Sequence, residues 1–288
     1  MRTQLIGKIE LDQERLAKDL ERALGLKLSE PYEEFVCGEP WKCAMVFAPG
    51  GEIHDVIADY DPATPAAFTE QGDALPYVQE IIRNNFATEN LTFVRLAVFS
   101  NSVLVPHRDY VEISDPVSKQ RIAHRLHIVL ATGENCLFNE TDTVYRMKEG
   151  ETWFIDVTRS HSAGVLDTTK RIHLMIDFAE VSDVDEVLRF PYSLENGIPE
   201  ANLCDRPALA DEERAGILAL ASVIDQENMM DVLGLIIKKH YRRDGGPNFV
   251  WSTMQEIARL SEDEAIIKQV ADLFGHTNLE RIEYSPAG

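Results

Sequence analysis

The chain has 288 residues, 44% of them hydrophobic and 27% charged, with a formal net charge of −21. That composition fills one full core and a second, smaller unit, and it excludes a disordered chain. So negative a field repels duplex DNA and RNA, which excludes a general nucleic-acid binder.

In chain order, Leu11 to Leu24 reads as a helix, with Leu16, Leu20 and Leu24 on one face and Gly25 available as its cap. Lys42 to Ala48 has strand character and runs into the turn Pro49-Gly50-Gly51. His54 to Asp73 is polar and reads as a loop or lid, and Pro76 opens a second helix that reaches about Asn85. From Leu91 to Ala179 the texture becomes β-rich. Runs at Leu91–Phe99, Ser102–Pro106, His124–Leu130, Thr143–Met147, Thr152–Asp156 and Arg171–Phe178 are separated by Asn, Asp, Gly and Thr turns. Short strands at this spacing predict a barrel or sandwich of antiparallel sheets, with the two N-terminal helices against one face.

After Phe190-Pro191 the pattern is helical again. Asp211 starts a helix with the stripe Ile217, Leu220, Ala221 and Ile224, and Met229–His240 forms another. Gly245-Gly246-Pro247 breaks the chain, Val250–Leu260 resumes as helix, and Ser261 with Glu264 reads as a capping box for the last one. Lys238, Lys239, Arg242 and Arg243 read as the cationic end of a helix rather than a binding patch. We expect a unit over residues 1–191 and a helical C-terminal unit over 192–288. Cys37, Cys43, Cys136 and Cys204 form no CxxC pair and read as reduced thiols. No signal-peptide core and no membrane-length apolar run is present in the sequence, so a cytoplasmic protein with no membrane partner is expected, a homodimer being left open.

The chemistry is concentrated in the β-rich part. In Pro106-His107-Arg108-Asp109, residues i and i+2 of an extended segment point to one side, so His107 and Asp109 can face a barrel interior together. A third ligand from a distant strand completes a two-histidine, one-carboxylate face. That set leaves open positions for a chelating co-substrate and dioxygen, and it suits non-haem Fe(II). His161, beyond the run Trp153-Phe154-Ile155-Asp156, is the candidate. Arg171 follows at the head of another strand, where a planar, permanently charged group can receive the far carboxylate of 2-oxoglutarate. Arg125 and His127 share a strand face and can reach the co-substrate or the substrate carboxylate. His173 shares a face with Arg171 and reads as packed; Trp41 and Trp153 read as core or pocket wall.

Taken together, Pro106-His-Arg-Asp-Tyr-Val-Glu, Arg125-Leu-His, Gly150-Glu-Thr-Trp-Phe-Ile-Asp and His161-Ser-Ala-Gly resemble the aspartyl/asparaginyl β-hydroxylase family. They are most similar to its bacterial branch of free amino-acid hydroxylases, the proline 3- and cis-4-hydroxylases. The likeness extends to Ile6-Gly-Lys-Ile-Glu-Leu-Asp-Gln, Cys37-Gly38 with Trp41, and Leu75-Pro-Tyr-Val-Gln-Glu-Ile. It implies a double-stranded β-helix (jelly-roll, cupin-like) core, mainly β with helices, plus a helical C-terminal region. It also implies Fe(II) on His107, Asp109 and His161. 2-Oxoglutarate would lie on Arg171, with Arg125 and His127 matching a pair that contacts this co-substrate. Because Asp109 retains the carboxylate that related halogenases lack, the resemblance implies hydroxylation, driven by O2 and the decarboxylation of 2-oxoglutarate.

The substrate is where the resemblance departs. Relatives of this branch carry two arginines on the strand before the metal motif, and this chain keeps Arg95 but has Ala97 at the second position. Either Arg121 or His124 takes over the substrate carboxylate, or the substrate is a different or modified small amino acid. Arg95, Arg121, His124 and Trp41 are the substrate candidates. The alternatives are an Asp/Asn side-chain hydroxylase acting on a peptide or carrier-bound substrate, and a non-catalytic β-barrel holding Zn²⁺ or Ni²⁺ on the same triad.

Overall fold

The computed structural model describes residues 2–31, 33–54, 59–61, 63–109, 124–178, 181 and 184–278. Its strands are β1 (Gln4–Lys8), β2 (Val36–Gly38), β3 (Lys42–Pro49), β4 (Ala66–Phe68), β5 (Leu91–Phe99), β6 (Ser102–Leu104), β7 (His124–Ala131), β8 (Cys136–Glu140), β9 (Thr143–Tyr145), β10 (Glu151–Ile155), β11 (His161–Val165) and β12 (Arg171–Phe178). Two antiparallel sheets result, a large one in the order β1-β10-β7-β12-β5-β3-β4 and a small one in the order β2-β6-β11-β8-β9. This is the mainly β jelly-roll class expected from the sequence.

The strands β5, β7 and β12 explain why the site lies between the sheets. In Arg171-Ile-His-Leu-Met-Ile-Asp-Phe every residue is buried, yet the polar residues Arg171, His173 and Asp177 all fall on one face, which Met175 shares. The apolar set Ile172, Leu174, Ile176 and Phe178 joins Leu126, Ile128, Val94 and Leu96 in one cluster with the N-terminal helices. The opposite set points between the sheets, since successive side chains of a strand face opposite ways. Here the hydrophobic face turns outward under helices and the polar face turns inward.

Those helices are α1 (Gln13–Gly25), the short α2 (Glu70–Asp73) and α3 (Pro76–Asn85). Asp12 caps α1 by accepting from the Arg15 amide at 3.1 Å. Buried Asp19 of α1 accepts from the amides of Tyr77 and Val78 at 2.7 and 3.0 Å, so one helix supplies the anion that the N-terminus of the other favours. The segment read as a loop, His54 to Asp73, contains β4 and α2, which fold back on β3: the Thr69 amide donates to Val46 O at 3.1 Å.

On the far side, α4 (Asp211–Leu218), α5 (Met229–His240), α6 (Phe249–Ser261) and α7 (Glu264–Asn278) cover the small sheet. Their apolar faces share a cluster with Val103, Leu137 and Val144 of that sheet and with Val105 just past β6. Gly164 of β11 permits the close approach, because a Cβ there would lie 2.6 Å from the Tyr241 ring. The capping box expected of Ser261 and Glu264 is not formed. Ser261 ends α6, Glu262 takes a left-handed φ of 57°, and Asp263 instead accepts from the Ala265 amide at 2.8 Å. Among the described residues no helix is long and apolar enough to cross a membrane, and the four cysteines are free.

Candidate active site

His107 follows β6 and His161 opens β11. The two backbones exchange hydrogen bonds of 3.0 and 2.9 Å, and this bridge sets their rings 4.5 Å apart between centroids. The Asp109 amide donates to Val157 O at 3.0 Å, which holds the carboxylate on the same side. One ligand atom each from His107, Asp109 and His161 falls within 4.8 Å of the others.

Each histidine is oriented by its own backbone. His107 Nδ1 lies 2.7 Å from Val105 O and His161 Nδ1 lies 2.9 Å from Arg159 O. A carbonyl only accepts, so each Nδ1 carries the proton and each Nε2 is left as a lone pair for a metal. Burial, with His107 nearby, lowers the His161 ring to about 4, which keeps it neutral and able to ligate. The Asp109 carboxylate is divided. Oδ1 lies 3.2 Å from His107 Nε2 and 4.0 Å from His161 Nε2, while Oδ2 accepts from Arg125 Nη1. Burial alone would raise this carboxyl, but the Arg125 guanidinium holds it well below the usual carboxylate range. Two imidazole nitrogens and one carboxylate oxygen fit Fe(II).

Above the triad is a cavity of about 330 Å³, lined by groups that include Trp41, Arg95, Arg125, His127, Arg171 and Met175. That volume is at the small end of ligand pockets, which suits metabolites rather than polymers. Arg171 is 5% exposed, and its Nη2 has no hydrogen-bond partner among the described residues. Its guanidinium stands 5.9 Å from the Phe138 ring, and burial pulls it down to about 10. A buried cation with no anion beside it is costly, and a ligand carboxylate removes that cost.

Not every residue singled out by the sequence faces open space. Arg125 lines the cavity, but its Nε donates to Asp177 Oδ1 at 2.6 Å and its Nη1 to Asp109. Arg95 donates to Asp177 Oδ2 at 2.7 Å. Asp177, which the sequence reading did not single out, therefore ties together two of the cavity's arginines. Ala97 is packed with Trp41, Cys43, Phe99, Cys136, Val165 and Met175, so no described cation occupies the place of the absent arginine. Arg121 and the His124 side chain lie outside the described residues. Phe35 and His276 also escaped the sequence reading: Phe35 lies 5.4 Å from His107 and 5.4 Å from His276 of α7, ring to ring. A phenylalanine and a histidine far from the motifs carry no local signal for this.

Comparison with known proteins agrees with this geometry. Residues 8–180 match the family described as aspartyl/asparaginyl beta-hydroxylase, and residues 186–282 match the family described as L-proline 3-hydroxylase, C-terminal. The chain is similar to the L-proline cis-4-hydroxylase of Rhizobium meliloti (strain 1021), 30% identical over 275 residues, covering 95% of this chain and 94% of that protein. It is also similar to L-proline cis-3-hydroxylase 1 of a Streptomyces species, 32% identical over 273 residues, covering 93% and 92%. Matches of this identity and coverage, on a chain that brings His107, Asp109 and His161 together in a cavity also lined by buried Arg171, mean that it belongs to the aspartyl/asparaginyl beta-hydroxylase family and is a 2-oxoglutarate-dependent dioxygenase.

Proposed function

We propose that this enzyme hydroxylates a free small amino acid, proline or a relative of it, with the metal on His107, Asp109 and His161 and 2-oxoglutarate on Arg171 and His127. The observation that carries the reading is the buried Arg171 guanidinium, which has no anion beside it among the described residues while lining the same cavity as the triad. A metal-binding barrel without a co-substrate would have no use for that cation, and its burial would only destabilise the fold. Bound Fe(II) and 2-oxoglutarate supply the oxidising chemistry, in which dioxygen decarboxylates the co-substrate to succinate and hydroxylates a C–H bond.

The protein's own residues bind and orient. Arg171 fixes the far end of the co-substrate with a charge-assisted pair. Arg125 holds one oxygen of Asp109 so that the other faces the metal, which is a different role from the direct co-substrate contact that the resemblance implies. Trp41, Met175 and Leu104 wall the cavity with apolar surface and exclude water from the reacting bond.

The cavity argues for a substrate whose interior part is hydrocarbon. Arg95 and Arg125 are neutralised by Asp177 and Asp109, so neither is a free receptor for a buried carboxylate, and the Ala97 position is apolar. An amino acid other than proline itself, or a modified one, fits this lining as well as proline does. The test is to load the protein anaerobically with Fe(II) and 2-oxoglutarate, admit oxygen with a panel of free amino acids, and read succinate and +16 Da products. A +16 Da product from a free amino acid supports the reading. Succinate release with no such product moves the substrate to carrier-bound or peptide forms, and no succinate from iron-loaded protein overturns it.

A further inference from the structure

His127 on β7 and His173 on β12 form a buried pair. Their strands are adjacent and antiparallel, with Met175 opposite His127 and Val129 opposite His173. The rings are perpendicular, at 89° and 5.5 Å between centroids, and the two Nδ1 atoms are 3.4 Å apart. Neither Nε2 has a hydrogen-bond partner among the described residues. His127 lines the cavity and His173 stands behind it. On its other side His173 faces Ala97 of β5, which has no polar side-chain atom to offer.

Both rings are neutral. Burial is the main cause at each, and the Arg171 charge acts in the same direction, so both lie well below the usual histidine range. A neutral imidazole has one N–H and one lone pair, so the contact between the two Nδ1 atoms is a hydrogen bond in one of two senses. If His127 donates, His173 is left with a buried Nε2–H without an acceptor among the described residues, and the buried Nε2 of cavity-lining His127 carries only a lone pair, which cannot donate to an anion. Two groups are then unsatisfied once a carboxylate arrives. If His173 donates, its only unmet group is a buried lone pair, and His127 presents an N–H that the carboxylate can use. Each unsatisfied buried polar group is destabilising, so the second sense is preferred.

We infer that His173 is a positioning residue for co-substrate binding: its Nδ1–H holds His127 in the tautomer that presents Nε2–H to the cavity, where it donates to a carboxylate of 2-oxoglutarate. The inference rests on the reading of His127 as a co-substrate contact, and it assigns work to a residue that otherwise only fills the interior.

The experiment uses full-length protein labelled with 15N-histidine and loaded with Zn(II) as a diamagnetic metal, with 2-oxoglutarate added. Long-range 15N–1H correlations report which nitrogen of His127 is protonated, and calorimetry gives the Kd of 2-oxoglutarate. In the unmodified protein His127 is protonated at Nε2. In His173→Phe the tautomers mix and Kd rises about twofold or more, because only the Nε2-protonated fraction of His127 can donate to the carboxylate. His173→Asn, whose amide can still donate to His127, recovers most of the affinity. Protonation of His127 at Nδ1 in the unmodified protein overturns the inference, even where the variants fail to fold. So does a His173→Phe protein that binds as tightly as the parent. His127→Phe separates the two levels. If it weakens binding while His173→Phe does not, only the role of His173 fails. If it binds normally, the co-substrate role of His127 fails and the inference falls with it.

Discussion

Arg125 donates to Oδ2 of Asp109, while Oδ1 of that carboxylate lies 3.2 Å from Nε2 of His107. In the proposed metal site the oxygen left to face the metal is thus chosen by a residue outside the triad, and Arg125 is in turn held by Asp177 at 2.6 Å.

Arg125→Met and Asp177→Asn are therefore expected to weaken metal binding even though all three ligands remain. Loss of an outer partner of a ligand costs about 10- to 100-fold in metal affinity. Anaerobic titration with Fe(II), or with Ni(II) as a redox-inert substitute, measures it. Affinity unchanged in both variants would mean that Asp109 is oriented by its backbone alone.

Arg171→Met should abolish co-substrate binding without destabilising the metal-free protein. The replaced guanidinium is buried with no anion to pair it among the described residues, and exchanging such a charge for a hydrophobe of similar volume is neutral or stabilising. Thermal melts with and without 2-oxoglutarate decide. The parent gains stability from the ligand by mass action, and the variant gains none while melting no lower than the parent alone.

Ala97→Arg tests whether the site can be turned back toward the two-arginine pattern. Ala97 is fully buried among apolar side chains, so the larger charged group overpacks them. A loss of about 3 kcal/mol or more is expected in urea unfolding. If the variant is instead stable and accepts proline better than the parent, the apolar wall is more yielding than its packing implies.

Acid should loosen the seam between the small sheet and the C-terminal helices. His240 of α5 lies 2.9 Å from Asn139 Oδ1 of β8 through Nε2, and Arg206 lies on the Nδ1 side. Burial above all, with the Arg206 charge, lowers this ring to about 4 from 6.5. The folded state thus holds the ring neutral where the unfolded chain takes up a proton. Its stabilising contribution is whole above pH 6.5 and is lost progressively as pH falls toward 4, by up to about 3 kcal/mol. Urea midpoints across that window should fall for the parent and fall less for His240→Gln.

Chelation should lower the melting temperature reversibly. The three ligands join the segment after β6 to the start of β11, so the metal cross-links two parts of the small sheet and stabilises only the folded chain. Melts in the presence of a chelator, followed by re-addition of Fe(II), measure the effect. His161→Ala should show the lower value with or without metal.

The sequence by itself determined the chemistry that depends on short spacing and residue type. His107 and Asp109 are two apart on extended chain, and Arg171 opens a strand whose polar residues His173 and Asp177 share its face, so these shared facings were legible before any strand had a partner. β11 was not legible: His161-Ser-Ala-Gly-Val has a single β-branched residue, and its strand state comes from pairing with β6 and β8 on either side. Nor was the use made of the arginines. That Arg95 and Arg125 both end on Asp177 depends on the register of β12 against β5 and β7, where Asp177 pairs with Phe93 on one side and Arg125 on the other. Register between strands distant in the chain is set by the packing of both faces together, and a one-residue slip would have turned every one of these side chains out of the site. Only the tertiary structure could therefore decide that Arg125 pairs with Asp109, that Arg171 has no anion beside it among the described residues, and that His173 lies against His127.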